Sequence, residues 1–192
     1  MATLRRTVRL HAAQAEFRRS PARYRAFCGG RGAGKSWVGA YDLLRRLRPG
    51  GTYLVASPTG VLMQDTTFPT LKQIATDLGV WGGVKLTPYP TATVLIDGGN
   101  ATVRLRTAED PEKLRGPNLR GAWLDEASLM HEDAYKITIG ALRDGGHVGW
   151  LSATFTPKGP SHWTYDTFAT GRPDTSLTRA TTDANPFLSP DF

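Results

Sequence analysis

A chain of 192 residues, 40% of them hydrophobic, is long and apolar enough to form one compact domain with its own core. Its single cysteine, Cys28, excludes an internal disulfide, and the absence of a run of about 18 apolar residues predicts a soluble protein with no membrane partner. The net charge of +7 comes from residues 1–50, which carry 12 Lys and Arg against 2 Asp and Glu. Such an arginine-rich segment suits a polyanion such as nucleic acid, and composition alone equally allows a solvated basic face.

The predicted elements alternate between strands and helices. In chain order they are a strand at 24–28, a helix at 36–48, a strand at 52–57, a helical region reaching about Leu78, two strands within 93–108, a strand at 121–127, a helix at 131–143, a strand at 147–155, a helix at 161–170 and a strand at 176–182. Pro69 marks an interruption or a helix start, and the Asp97-Gly98-Gly99-Asn100 stretch indicates a hairpin. This alternation predicts an α/β fold with a mainly parallel sheet, helices on both faces and the hairpin as an edge elaboration.

The stretch GGRGAGKS fits the phosphate-binding pattern G-x-x-x-x-G-K-[ST]. Its members are Gly29, Gly30, Arg31, Gly32, Ala33, Gly34, Lys35 and Ser36. Glycines let backbone N–H groups turn toward a phosphate, Lys35 reaches the β and γ oxygens, and the Ser36 hydroxyl can ligate Mg²⁺. The loop follows a predicted strand and opens a predicted helix, whose N-terminus favours an anion. The pattern therefore predicts a nucleotide-binding loop of the P-loop type.

Two adjacent carboxylates end the predicted strand GAWLDEA. Asp125 is expected to hold Mg²⁺, directly or through water, and Glu126 to orient and deprotonate the attacking water. Taken alone, two adjacent acids are also common in the first turn of a helix, which is the alternative interpretation. The phosphate loop about 90 residues earlier makes the catalytic interpretation the stronger one.

Small hydroxyls follow on the next predicted strand, at Ser152, Ala153 and Thr154. Such hydroxyls can bond a carboxylate, the water or the γ-phosphate, and so couple hydrolysis to the rest of the chain. Taken alone, they would be interpreted as strand hydroxyls whose hydrogen bonds are satisfied within the sheet.

The additional strand between loop and acids, and the glutamate beside the aspartate, indicate the ATP-hydrolysing motor (ASCE, RecA-like) class of P-loop NTPases. No guanine-selecting N-K-x-D and no L-S-G-G-Q occurs, which favours ATP.

The combined motifs resemble one known family, the ATPase domain of the terminase large subunit of tailed bacteriophages. The similar segments are GGRGAGKS (29–36), LRGPNLRGAWLDEA (114–127), SATFTPKG (152–159) and TTDANPFL (181–188), in the family's order. The resemblance implies an ATP- and Mg²⁺-dependent DNA-packaging motor that moves double-stranded DNA into a procapsid. The implied partners are the capsid portal protein, the small terminase subunit and further copies in a homo-oligomeric ring, in the host cytoplasm.

The resemblance also assigns residues. It implies that Lys35 and Ser36 bind phosphate and Mg²⁺, that Arg31 contacts phosphate, and that Glu126 is the base beside the metal-binding Asp125. Arg115 resembles an arginine finger that acts on a neighbouring subunit, although a surface salt bridge is an alternative, as a solvated loop cation is for Arg31. Gln14 resembles an adenine-reading glutamine, or else is an exposed helix residue.

The family's full-length members carry a second, nuclease domain. Residues 1–192 offer no room for it, so we expect an isolated ATPase domain without nuclease activity. Two alternatives stay open. A DEAD-box-like helicase domain shares the order of the motifs but leaves L-R-G-P-N-L unexplained, and a nucleotide-gated assembly module without turnover would have no need for Glu126.

Overall fold

The computed structural model describes residues 8–189, which build one eight-stranded sheet flanked by helices. The strands are β1 (Tyr24–Gly29), β2 (Thr52–Ser57), β3 (Trp81–Lys85), β4 (Thr91–Ile96), β5 (Gly99–Thr107), β6 (Gly121–Leu124), β7 (Trp150–Phe155) and β8 (Thr175–Ala180). The helices are α1 (Ala12–Arg19), α2 (Lys35–Arg46), α3 (Gly60–Leu62), α4 (Phe68–Asp77), α5 (Glu132–Gly140) and α6 (Trp163–Phe168). The predicted domain of 1–192 extends past the described residues at both ends.

The sheet order is β3-β4-β5-β2-β6-β7-β1-β8. Strands β5, β2, β6, β7, β1 and β8 pair in parallel, whereas β4 runs antiparallel to both β5 and β3. The predicted fold class is confirmed, and the β4–β5 hairpin lies toward one edge as expected. The sequence did not predict β3, because its Gly82-Gly83 pair breaks the alternation of a strand, and the register shifts between Trp81 and Gly83.

Buried side chains alternate between the two faces of the central strands. On β6, Ala122 and Leu124 pack into a cluster with α5 and α6, while Trp123 packs into a cluster with α2 and α4. The central strands are therefore covered on both sides, which leaves their ends as the places where a ligand can reach them. No helix in the described range is long and apolar enough to cross a membrane.

The region after β2 is helical but irregular. Helix α3 continues into a π-helical turn over Met63–Thr67, which α4 follows directly. Pro69 lies in the first turn of α4, where a missing N–H is tolerated, so it marks a helix start. The elements around α5 and β7 are shorter than predicted, with α5 ending at Gly140 and β7 beginning at Trp150.

Candidate functional site

The three predicted motifs meet at the carboxyl ends of the parallel strands. β1 leads into the glycine loop, β6 ends directly before Asp125, and β7 carries Thr154 next to its end. Because β6, β7 and β1 are neighbours in the sheet, their carboxyl ends lie side by side. This edge is where open α/β sheets bind ligands.

The glycine loop has the backbone conformation that its sequence requires. Gly32 and Gly34 have φ values of 80° and 76°, in the left-handed region that a side chain would disfavour. Gly34 immediately precedes α2, so the loop delivers its N–H groups at a helix N-terminus. This geometry suits an anion held by backbone donors and the helix dipole.

Lys35 and Ser36 lie in the first turn of α2 and face the two acids that follow β6. The Lys35 ammonium donates to the Gly30 carbonyl at 3.1 Å and lies 3.5 Å from a carboxylate oxygen of Glu126. The Ser36 hydroxyl donates to Oδ1 of Asp125 at 3.0 Å. The structure thus brings Lys35 into contact with Glu126 and Ser36 into contact with Asp125, as the predicted site requires.

Asp125 lies at the centre of this contact network and is 1% exposed. Besides Ser36, its carboxylate accepts hydrogen bonds from Thr154 on Oδ1 and from Thr67 on Oδ2, each at 2.8 Å. Burial raises the pKa of Asp125, and the three hydroxyl donors oppose that rise. Asp125 is therefore not the solvated helix-start acid of the alternative interpretation.

Glu126 has an unusual backbone conformation. Its φ of 49° and ψ of 44° are left-handed, which for a residue other than glycine costs about 1–3 kcal/mol. This turn sends the chain away from the strand and leaves the Glu126 side chain partly exposed beside Lys35. Strain of this kind is often found at functional sites.

Thr67 is a site residue that the sequence analysis missed. It is 1% exposed and reaches Asp125 from the π-helical turn, with the Ser57 hydroxyl 3.3 Å from its own. The sequence feature that could have identified Thr67 is the polar run Gln64-Asp65-Thr66-Thr67 in a helical segment that packs on the sheet. The 3.6-residue period of a helix does not decide which of the two threonines points inward.

The structure separates the two predicted coupling hydroxyls. Thr154 contacts Asp125 and also accepts a hydrogen bond from the Trp123 indole at 2.9 Å. Ser152 lies deeper along β7 and donates instead to Asp42 at 2.8 Å. Asp42 forms a buried ion pair with Arg25 at 2.6 Å, so Ser152 belongs to a structural network. Ala153 packs into the core on the opposite face of the sheet.

Gln14 is 3% exposed, so the interpretation as an exposed helix residue is wrong. Its amide nitrogen donates to the Gly34 carbonyl at 3.3 Å, and its oxygen accepts from the His11 backbone at 3.4 Å. Gln14 also borders a cavity of about 320 Å³ together with Trp37 and Phe187. Helix α1 thus joins the glycine loop to a partly aromatic cavity beside it.

The segment after β8 supports the loop from the outside. Thr182 donates to the Arg31 carbonyl and Asn185 to the Gly32 carbonyl, each at 2.7 Å. Through these two contacts the TTDANPFL segment fixes the backbone of the glycine loop, a role that the sequence alone did not predict.

The two predicted arginines are exposed. The Arg31 side chain projects from the glycine loop into solvent. Arg115 follows a helical turn at Pro111–Leu114, and its guanidinium pairs with Glu112. Among the described residues of this chain, no site residue contacts Arg115, so within one chain the structure does not bring Arg115 to the loop.

Comparisons with known proteins agree on one family. The family model described as phage terminase large subunit matches residues 21–192. A relative from Bacillus subtilis (strain 168), the PBSX phage terminase large subunit, is 27% identical over 147 residues. That alignment covers 76% of this chain and 34% of the relative, so the chain spans about a third of the relative's length.

Solved structures share the fold. The large terminase of a thermophilic bacteriophage superposes with a TM-score of 0.78 at 21% identity, covering 96% of this chain and 48% of that one. The ATPase domain of the Thermus phage P74-26 large terminase gives a TM-score of 0.69 at 23% identity, covering 90% and 81%. The first of these two terminases has also been solved with ADP and with ATP-γ-S.

Proposed function

The chain belongs to the phage terminase large subunit family, and from that premise we propose that it is a Mg²⁺-dependent ATPase that powers translocation of double-stranded DNA into a procapsid. The carrying observation is the contact network in which Ser36 bonds Asp125 while Lys35 lies beside Glu126. It brings the predicted phosphate-binding loop into contact with the predicted metal ligand and the predicted base, which are parts that nucleotide hydrolysis needs.

The phosphates would lie in the glycine loop. Its N–H groups and the N-terminus of α2 supply fixed partial positive charge, and Lys35 supplies a full one. The exposed Arg31 would add a further cation on the solvent side of the phosphates. The complexes of the thermophilic bacteriophage terminase with ADP and ATP-γ-S support nucleotide binding by a domain of this fold.

The donor set fits Mg²⁺. Ser36 and Asp125 offer hard oxygen donors 3.0 Å apart, and the described residues hold no cluster of three or more His, Cys, Asp or Glu side chains. Mg²⁺ commonly takes one or two protein oxygens and completes its shell with phosphate and water. When bound, the ion would neutralise charge on the β and γ phosphate oxygens.

Glu126 would accept the proton of the attacking water. Its left-handed backbone holds the carboxylate 3.5 Å from the Lys35 ammonium, and a quarter of the side chain is exposed, so water can reach it. Thr154 bonds Asp125, and Trp123 bonds Thr154, so a change at Asp125 would be transmitted into β7 and the core. This chain of contacts is our candidate for the coupling route.

The base of the nucleotide would occupy the cavity beside Gln14. The amide group of Gln14 retains donor and acceptor capacity beyond its two bonds, and Trp37 offers an aromatic face. Gln14 would thereby select adenine while it fixes Gly34.

Arg115 would act on the nucleotide of a neighbouring copy. Its exposure, and its ion pair with the equally exposed Glu112, fit a homo-oligomeric ring in which each subunit completes the next site. We further propose the capsid portal protein and the small terminase subunit as partners, and the host cytoplasm as the location. The family match favours this motor over the helicase alternative.

Replacement of Glu126 by Gln tests the assignment of the base. We expect the hydrolysis rate to fall about 100- to 10,000-fold while ATP binding stays within a few fold, since the amide keeps the shape but cannot accept the proton. Phosphate release measures the first quantity, and titration with a fluorescent ATP analogue the second. Glu132→Gln, which alters an exposed carboxylate on α5, is the matched control. An undiminished rate of ATP hydrolysis in Glu126→Gln would contradict the assignment of Glu126 as the base.

A further inference from the structure

A second cluster of cationic side chains lies at the amino ends of the parallel strands, opposite the nucleotide site. There the starts of β2, β6 and β7 surround a cavity of about 560 Å³. The lining residues include Arg46, Arg48, Tyr53, Arg120, His147 and Trp150. These described lining residues include three arginines and no carboxylate, and none of them takes part in the site above.

Arg46 carries a poorly compensated charge. Its guanidinium stacks 3.8 Å from the centre of the Trp150 ring, and the closest oxygen of Asp42 is also 3.8 Å away, too far for a hydrogen bond. The buried Nη1 atom has no hydrogen-bond partner within residues 8–189. Burial and the charge of Arg25 lower the pKa of Arg46 to about 10, so the group is still protonated at neutral pH.

The other two arginines of the cavity keep part of their surface exposed. Arg120 donates to Asp144 at 3.1 Å and to the Pro49 carbonyl at 3.4 Å, and its side chain stays about a quarter exposed. Arg48 is exposed and donates to the carbonyl of Leu47, and no described carboxylate lies within ion-pair distance of it. The cavity thus presents fixed positive charge to solvent.

The positive charge extends past the cavity along the sheet. Arg23 precedes β1 and donates to the Gly149 carbonyl at 2.8 Å, next to Trp150. In the sheet order, β2 and β1 are three strand spacings apart, which is about 14 Å. A single phosphate cannot bridge Arg48 and Arg23, whereas a chain of phosphates can.

We propose that this amino-end basic surface, formed by Arg23, Arg46, Arg48, Arg120 and His147, binds the phosphate backbone of duplex DNA. Arginine forks match phosphate oxygens, and the described lining residues of the cavity include no Asn or Gln, which fits sequence-independent binding. The assignment of this surface rests on the proposed function and adds to it the place on the domain where the DNA lies.

Titration of a labelled random-sequence duplex with the 192-residue chain tests the surface, with fluorescence anisotropy as the readout, between about 50 and 200 mM salt. We expect Arg48→Ala to weaken binding about 3- to 10-fold and to lower the slope of log affinity against log salt by about 0.9, since one phosphate contact is lost. Arg48→Glu should weaken it further. Lys72→Ala, which removes an exposed cation from α4, should leave the slope unchanged.

Unchanged affinity and slope in both Arg48 variants, or no duplex binding by the unmodified chain, would overturn the proposal. Equal competition by inorganic phosphate at the same phosphate concentration, or by polyaspartate, would also overturn it in favour of an isolated phosphate site or an acidic protein partner. ATP binding and basal turnover are measured on the same samples and should not change in the Arg48 variants. If the unmodified chain neither binds nor hydrolyses ATP, that result would instead contradict the proposed function. Failure of the DNA-binding surface and failure of the proposed ATPase function can therefore be told apart.

Discussion

At the residue scale, Asp125 shows how a buried carboxyl group is satisfied by side-chain donors. A carboxylate that is 1% exposed loses its hydration, and hydroxyls from three separate elements replace part of it. Two of these, Ser36 and Thr154, come from predicted motifs, whereas Thr67 comes from an irregular helix. Each donor also fixes the direction in which the carboxylate points.

Thr67 is therefore expected to position Asp125 for Mg²⁺. Thr67→Val removes a hydrogen bond to a buried charge, worth about 1.5–3 kcal/mol, while it keeps the shape of the side chain. We expect the Mg²⁺ concentration for half-maximal hydrolysis to rise several-fold, and Thr67→Ser to restore it. Mg²⁺ titrations of phosphate release and of nucleotide binding provide the measurement.

The neighbouring Thr66 supplies the control for that experiment. It is exposed on the same helical turn, so Thr66→Val should leave the Mg²⁺ dependence unchanged. An equal shift in both valine variants would contradict a specific role for Thr67 and point to a general disturbance of the π-helical turn.

At the element scale, α2 packs against β6 through a glycine. A Cβ atom at Gly39 would collide with the indole nitrogen of Trp123, which bonds Thr154. Gly39 thus lets the helix that begins at the phosphate loop lie close to the strand that delivers Asp125. Close packing here joins the stability of the core to the geometry of the site.

Gly39→Ala is expected to lower the free energy of unfolding by about 1–3 kcal/mol and to reduce hydrolysis, because the indole must shift and loses its bond to Thr154. Urea denaturation measures the first effect and phosphate release the second. Gly140→Ala, at the end of α5, is the control: nothing lies within 4 Å of its added Cβ, so it should be neutral or stabilise by up to about 1 kcal/mol. Equal effects of the two substitutions would refute the packing argument.

The predictability of the elements follows the strength of their patterns. Strand β2 was predicted with its observed bounds, because TYLVAS is a continuous apolar run between turn signals. The Lys35–Asp125 neighbourhood was predictable because parallel strands bring successive motifs to one edge. In contrast, the bulged β3 and the π-helical turn break the regular periods, so neither β3 nor the contact of Thr67 could be obtained from spacing.

At the scale of the whole molecule, the two proposed sites lie at opposite ends of the same strands. A strand of six residues such as β2 is about 20 Å long, so hydrolysis and DNA contact would be separated by that distance. The strands between them are buried on both faces and paired in parallel, which makes them rigid. Motion would therefore be passed on by shifts of whole domains or subunits more readily than by bending of the sheet.

If motion is passed on between subunits, Arg115 is expected to act at the contact between one subunit and the next. If its guanidinium completes the site of a neighbour, Arg115→Ala should lower the hydrolysis rate about 1,000-fold or more with ATP binding unchanged, since an arginine finger stabilises charge only as the phosphoryl group transfers. The rate per subunit of the unmodified chain should rise with protein concentration. Lys113→Ala, which removes an exposed cation from the same turn, should have little effect.

Mixing two inactive variants distinguishes action between subunits from action within one. Lys35→Ala subunits cannot hold the phosphates but still present Arg115, and Arg115→Ala subunits have the opposite defect. Their mixture should recover a measurable part of the lost phosphate release, because one interface in the mixed ring combines an intact loop with an intact arginine. A mixture no more active than the sum of its parts, together with a rate per subunit independent of concentration, would place Arg115 outside the catalytic site and leave it as the surface partner of Glu112.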